Sequence, residues 1–204
     1  MTLTVKQNII AVNRSASAYW QRRYVLFKFL YKVIFKMKPP ENKNEILDLF
    51  KQGPNILENA LAGLSDNELD YVPSNESWSI RQIVHHLADG DDLWKIYIKI
   101  ALGNEQAEFS LKWYLAFPQT EWAKHWSYEK RSIDESLALL KAIRGHILQL
   151  LENAPDGWTR SAQFQEPNGK IEVVPVGFVI KIQADHIIHH VKRISEIRKE
   201  ISGR

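Results

Sequence analysis

A histidine pair at helical spacing is the feature of this chain most able to do chemistry. His186 and His190 lie four apart in Asp185-His186-Ile187-Ile188-His189-His190-Val191. In a helix such residues stack on one face about 6 Å apart, so one element offers two imidazoles to a single metal ion. A third candidate ligand lies a hundred residues earlier in Val84-His85-His86-Leu87-Ala88-Asp89. Apolar periodicity sorts the histidines. Val176, Val179, Ile180, Ile187, Val191, Ile194, Ile197 and Ile201 share one broad helical face, with His190 near its middle, His186 toward its edge and His189 on the polar side. In the earlier segment Ile80, Ile83, Val84, Leu87, Trp94 and Ile98 define the stripe. His86 flanks it beside Gly90, Leu93 and Tyr97, while His85 lies farther round. Spacing alone also fits core histidines satisfied by backbone, by Gln183 or by Asp185.

The elements that must position these residues are helices. After Pro39-Pro40 the run Ile46 to Leu64 is helical in pattern, with a break or kink expected at Gly53-Pro54. Ser79 and Gln82 form a capping box that opens a second helix through about Leu102. From Gly103 to Trp126 the chain is aromatic and irregular; Trp113, Trp122 and Trp126 pack a long loop onto the bundle or line a cleft. Ser132 and Glu135 read as a second capping box, before a stripe of Leu137, Leu140, Ile143, Ile147, Leu150 and Leu151. Asn168-Gly169 is a tight-turn signal that closes a short hairpin between 160–165 and 170–174, after which the histidine helix runs to Ile201. Four helices with long connections make an all-α bundle, and facing bundle helices are where metal sites are built.

The segment Trp78-Ser79-Ile80-Arg81-Gln82-Ile83-Val84-His85-His86-Leu87-Ala88-Asp89 resembles the signature helix of the DinB/YfiT-like superfamily. Phe164-Gln165-Glu166-Pro167-Asn168-Gly169-Lys170-Ile171 followed by the histidine helix is similar to that family's closing portion, and the likeness runs from about Asn44 to Ile201. The resemblance implies a DinB-like four-helix bundle binding a divalent metal, zinc or nickel foremost, through three histidines. Matched motif to motif, these are His86, His186 and His190. The chain departs from the pattern twice. Gly90-Asp91 stands where Ser-His often follows the Asp, and Asp185 stands where an aromatic residue often precedes the first histidine of the final pair. Neither change removes a ligand.

Three imidazoles leave coordination positions open for water or substrate. Family members with an assigned activity use a low-molecular-weight thiol in transfer or isomerisation, and others look like metal hydrolases. The resemblance therefore implies a metal and leaves the reaction open; S-transfer from a low-molecular-weight thiol to a small electrophile is the leading expectation. The alternatives are hydrolysis by metal-bound hydroxide and a non-enzymatic, stress-related bundle with a structural metal. No glutamate stands beside the histidines as it does in HExxH, which counts against hydrolysis. Around the ligands, Gly90 could leave room for substrate. Asp89 could orient His85 at i+4 or accept a hydrogen bond behind a ligand, and equally reads as a solvated carboxylate. His85, Tyr97 and Asp185 are further cleft or supporting candidates, with Trp94 and His125 weaker ones.

At 204 residues and 45% hydrophobic content, the chain can bury one sizeable core. It has no cysteine, which excludes disulfides, zinc-thiolate sites and a cysteine nucleophile within the chain and fits a cytoplasmic setting. The net charge of +3 is unevenly placed: residues 1–36 hold seven basic and no acidic residues, leaving 20 basic against 24 acidic. The bundle thus gives no electrostatic reason to expect nucleic acid. A small-molecule substrate and a homodimer, formed through apolar residues around the first helix, are the expected partners. Residues 1–40 read as an extension and 41–204 as the metal-binding bundle. Two readings of the extension compete: a mis-assigned start with Met37 as initiator, or a membrane-surface helix over Tyr24 to Phe35. Intact mass of the protein from its native host decides between them, since a chain beginning at Met1 overturns the mis-assigned start.

Overall fold

The computed structural model describes residues 39–73 and 78–203, so the expectations for residues 1–36 and Met37 lie outside the described residues. Four long helices carry the fold: α1 (Lys43–Leu61), α3 (Ile80–Gly103), α6 (Asp134–Glu152) and α7 (Val176–Ser202). The short helix α2 (Asp66–Leu69) lies between the first two. The connection from α3 to α6 holds strand β1 (Glu108–Ser110), helices α4 (Lys112–Leu115) and α5 (Gln119–His125), and a 3₁₀ turn at Tyr128–Lys130. Strands β2 (Ser161–Gln165) and β3 (Ile171–Pro175) lead into α7. α1 packs on α7 and α6, and α3 packs on the same two helices. Leu57, Ile83, Val84, Leu87, Leu140, Ile187, Ile194 and Ile197 are buried between them.

The hairpin forms as expected, with Gly169 at φ +85 and antiparallel register Ala162↔Val174 and Phe164↔Glu172. What the pattern did not show is β1, which adds in parallel to β2 with Phe109↔Phe164 in register. Three residues are too few to display alternation. The capping box at Ser79 and Gln82 is present. The one expected at Ser132 and Glu135 is not: Ile133 is the N-cap residue, and the Ser132 hydroxyl accepts from the Asp134 N–H at 3.2 Å and donates to the Asp134 carboxylate at 2.8 Å. The shorter loop within 132–134 takes the hydroxyl before the helix can use it.

Of the break or kink expected at Gly53-Pro54, the break does not occur, because α1 runs through it. Proline at 54 offers no N–H to the carbonyl of Phe50, four residues earlier. The guanidinium of Arg144 supplies the missing donor: its Nη1 donates to Phe50 O at 2.9 Å. The same group donates from Nε to Asp91 Oδ2 at 2.7 Å and from Nη2 to Gln183 O at 2.7 Å. Arg144 on α6 therefore ties α1, α3 and α7 together with both charged partners 1% exposed. Gly53 makes room for it, since a Cβ there would stand 2.3 Å from Arg144 Nη1. Large exposed apolar side chains occur at Ile96, Trp113, Phe117, Val173 and elsewhere, yet none is on α1, which turns its bulk inward.

Removing one partner of a buried ion pair leaves the other charge stranded, at a cost of about 3–5 kcal/mol. Arg144→Met is expected to lower unfolding free energy by that order in urea titrations. The double change Arg144→Met with Asp91→Leu should be milder than Arg144→Met alone, because no charge is then left unpaired.

Candidate metal centre

Helices α3 and α7 run side by side, and their facing turns bring His86, His186 and His190 into one cluster. His86 Nε2 lies 3.1 Å from His186 Nε2, and His190 Nε2 lies 3.0 Å from the same atom. The rings meet edge to face, with centroids 4.6–5.1 Å apart. Trp78 closes one side, its ring edge-on to His86 at 4.7 Å. His86 is buried, and His186 and His190 are half-buried.

These contacts fit a cation better than they fit one another. A ring nitrogen carries either one proton or one lone pair in its plane, so His186 Nε2 cannot make two well-aligned hydrogen bonds. A cation at the point where three lone pairs converge removes that conflict. Metal–nitrogen bonds of about 2.0–2.1 Å put neighbouring nitrogens about 3.3 Å apart in a tetrahedron and about 2.9 Å apart at right angles. The observed 3.0 and 3.1 Å fall between these limits. Ligand imidazoles must also be neutral. Burial, then the nearby charges of His189 and Arg144, pull His186 down to about 4.

The neighbouring candidates do different work from that expected. His85 is not turned away from the core: it is fully buried, its Nδ1 2.7 Å from Ser136 Oγ and its Nε2 3.3 Å from Arg131 O. One residue advances a helix by about 100°, which swings His85 toward α6 and His86 toward α7. Burial holds the His85 imidazole below its usual value. Asp89 does not orient His85. It accepts from the Tyr128 hydroxyl at 2.6 Å, and burial raises its pKa. Gly90 lies against one of the three histidines; a Cβ there would meet His186 Cε1 at 3.8 Å, an ordinary contact. Tyr97 faces the sheet and not a cleft. Its hydroxyl lies 2.8 Å from Ala162 O and 2.5 Å from Val174 O and accepts from Ala162 N–H at 3.1 Å. Burial pushes it up to about 12. Asp185 is exposed and pairs with Lys181 along α7. Trp94 stacks in an aromatic cluster with Tyr97, Phe109 and Phe164, and His125 is exposed.

Two polar anchors were missed by the sequence reading. Arg144 sits between Leu140 and Ile147 on the α6 stripe, and Asp91 lies on the inward face of α3; opposite charges on facing apolar stripes were the available signal. Tyr128 carried no such signal, because it reaches Asp89 from a 3₁₀ turn outside any periodic pattern.

A model of the DinB superfamily matches residues 49–194. The chain belongs to the DinB superfamily. A relative from Geobacillus thermodenitrificans, named as a candidate metal-dependent hydrolase, is 28% identical over 162 residues, covering 78% of this chain and 85% of that protein. YfiT of Bacillus subtilis, named likewise, is 25% identical over 161 residues, covering 79% and 86%. The solved structure of YfiT, described as having an unusual four-helix bundle topology, superposes with TM-score 0.68 at 24% identity over 82% of this chain and 94% of that one. A mycothiol-dependent maleylpyruvate isomerase shares the fold at TM-score 0.55 and 14% identity, covering 73% of this chain and 59% of the isomerase. Among the described residues no helix is long and apolar enough to cross a membrane.

The lowered pKa values set a pH dependence for the metal-free DinB bundle. Unfolded histidine titrates near 6.5, above folded His85 and His186, so between these values the unfolded chain binds more protons. Stability should therefore hold above pH 6.5 and be lost as pH falls toward 4. Urea midpoints measured across this range should drop, and His186→Asn should flatten the drop.

Proposed function

We propose that this DinB protein is a divalent-metal-dependent enzyme acting on small molecules, with His86, His186 and His190 as the ligands. The observation that supports this reading is the convergence of three Nε2 atoms at separations a single ion spans. All three belong to two helices braced by the Arg144 network, so the donor set is positioned before any ion arrives. A bound divalent ion supplies Lewis acidity, which lowers the pKa of a thiol or water in its open position. The chain's own part is to hold three neutral imidazoles and to cover one side of the cluster with Trp78.

The reaction is S-transfer, in which a low-molecular-weight thiol loses its proton and attacks a small electrophile. The shared fold with a mycothiol-dependent isomerase supports this reading. Hydrolysis is the second reading, favoured by the names of the relatives from Geobacillus and Bacillus. Either reading requires a nucleophile that sheds a proton beside the triad. Zinc and nickel are the ions proposed.

Elemental mass spectrometry of purified, tag-free protein should find near-stoichiometric metal, lost in the folded double variant His186→Ala, His190→Ala. Metal-loaded protein should then consume 2-mercaptoethanol with monochlorobimane as electrophile, at a rate that collapses on chelation. Equal rates with and without metal exclude metal-dependent transfer. Metal-dependent cleavage of p-nitrophenyl acetate without thiol consumption selects hydrolysis. A parent that stays empty after incubation with both ions overturns both readings.

A further inference from the structure

Both reactions need a group to receive the nucleophile's proton, and the three imidazoles cannot serve while their lone pairs are committed. We infer that Asp89 is that acceptor, held in place by Tyr128; this rests on the reading of the histidine triad as a metal site. Asp89 lies three residues beyond His86 on α3, where side chains are neighbours with Cβ atoms about 5–6 Å apart. The next residue, Gly90, faces His186 Cε1. The 89–90 turn therefore borders the histidine cluster.

The carboxylate is half-buried and asymmetric. Tyr128 donates to Oδ2 at 2.6 Å, and among the described residues no other donor is bonded to it, which leaves Oδ1 for substrate. Tyr128 is itself 1% exposed, packed against the His85 ring at 5.2 Å, so the hydroxyl that fixes Oδ2 has little freedom to leave. Four groups face Asp89: Tyr114 and Tyr128 from the connecting segment, Arg131 beyond the 3₁₀ turn, and Asp92 on its own helix. Both tyrosines are buried and held well above their usual range, so they stay protonated while the carboxylate titrates. Burial raises the Asp89 pKa, which makes the carboxylate a better base than one in water.

The step balances without a further reactant. The S–H bond of the thiol, or an O–H bond of water, breaks with its electron pair left on sulfur or oxygen, and the proton forms an O–H bond with Asp89 Oδ1. The nucleophile then bonds to the electrophilic carbon as the leaving group departs with its electron pair. The new carboxylic acid returns the proton to that leaving group. Asp89 thus acts without being a ligand, from i+3 of a ligand histidine.

Proton counting tests this independently of turnover. Zinc-loaded full-length protein is titrated with 2-mercaptoethanol and, separately, with acetohydroxamic acid, in buffers of different ionisation enthalpy. Each probe loses a proton as it enters. With Asp89 as acceptor the parent should release about no net proton to the buffer, and Asp89→Asn about one. The affinity of Asp89→Asn should then fall about tenfold for each pH unit below neutrality, while the parent's stays flat. Asparagine still accepts from Tyr128, so fold and zinc content should match the parent. Asp92→Asn, which alters a nearby charge paired with Lys95, should behave as the parent does. Equal proton release in parent and Asp89→Asn overturns the assignment, and so does an Asp92→Asn effect as large as that of Asp89→Asn. A parent that takes no zinc, or takes zinc and binds neither probe, fails earlier and overturns the metal reading together with this one.

Discussion

One guanidinium fixes where the helices of this bundle stand. Arg144 reaches from α6 to a carboxylate on α3, a carbonyl on α7 and a carbonyl on α1. A charge this deep is costly unless every donor is matched, and the matching geometry exists at one register only. Asp91 lies five residues beyond His86, and Gln183 three before His186. Sliding α7 past α3 by one turn, about 5.4 Å, would carry the Gln183 carbonyl away from Arg144 and the histidines out of reach of one another. Apolar packing tolerates such slips far better, since one leucine layer resembles the next. The polar clamp inside and the histidine cluster outside thus share one constraint: the first sets the level at which the second can form.

The clamp also explains a sequence that looks self-defeating. A Gly-Pro pair in the middle of a bundle helix should weaken it, since glycine adds freedom and proline deletes a donor. Here the two defects are complementary. Glycine at 53 clears space for the Arg144 head, and the carbonyl orphaned by Pro54 is the one that head needs. Each residue taken alone reads as a helix breaker; together they make a socket.

Local patterns were legible and long-range polar partners were not. The face occupied by His86, His186 and His190 followed from the apolar stripes, because burial and period are properties of one helix. The Ser79 box and the Asn168-Gly169 turn were legible for the same reason: each closes within a few residues. β1 pairs with a strand more than fifty positions away, and its three residues carry no period. The destination of His85 required knowing that Ser136 and the Arg131 carbonyl would stand opposite it, which depends on how α6 packs. The partner of Asp89 was hidden for a related reason. Helical proximity at i+4 is readable, but the competing hydroxyl of Tyr128 arrives from an irregular segment 39 residues later.

That irregular segment differs in kind from the helices beside it. It meets α3 through Tyr128 on Asp89 and against the His85 ring, the Arg131 carbonyl on Arg81 and beside His85, and Phe109 against Trp94 and Tyr97, with Tyr114 facing Asp89 and beyond it a stack of Tyr114, Trp122 and Trp126 with ring centroids 5.1–6.1 Å apart. The Trp122 indole is spent on Tyr114 O within the segment itself, and Trp113 and Phe117 remain about half exposed. So the segment is held together by its own aromatic packing and meets the histidine helix at His85 and Asp89. The histidines sit on rigid helices whose register cannot change without breaking the Arg144 clamp. The wall beside them is built from a connection that can vary in length and composition without disturbing that clamp. Asp89 is the point where the two meet, since it belongs to the rigid helix yet takes its orientation from the variable wall.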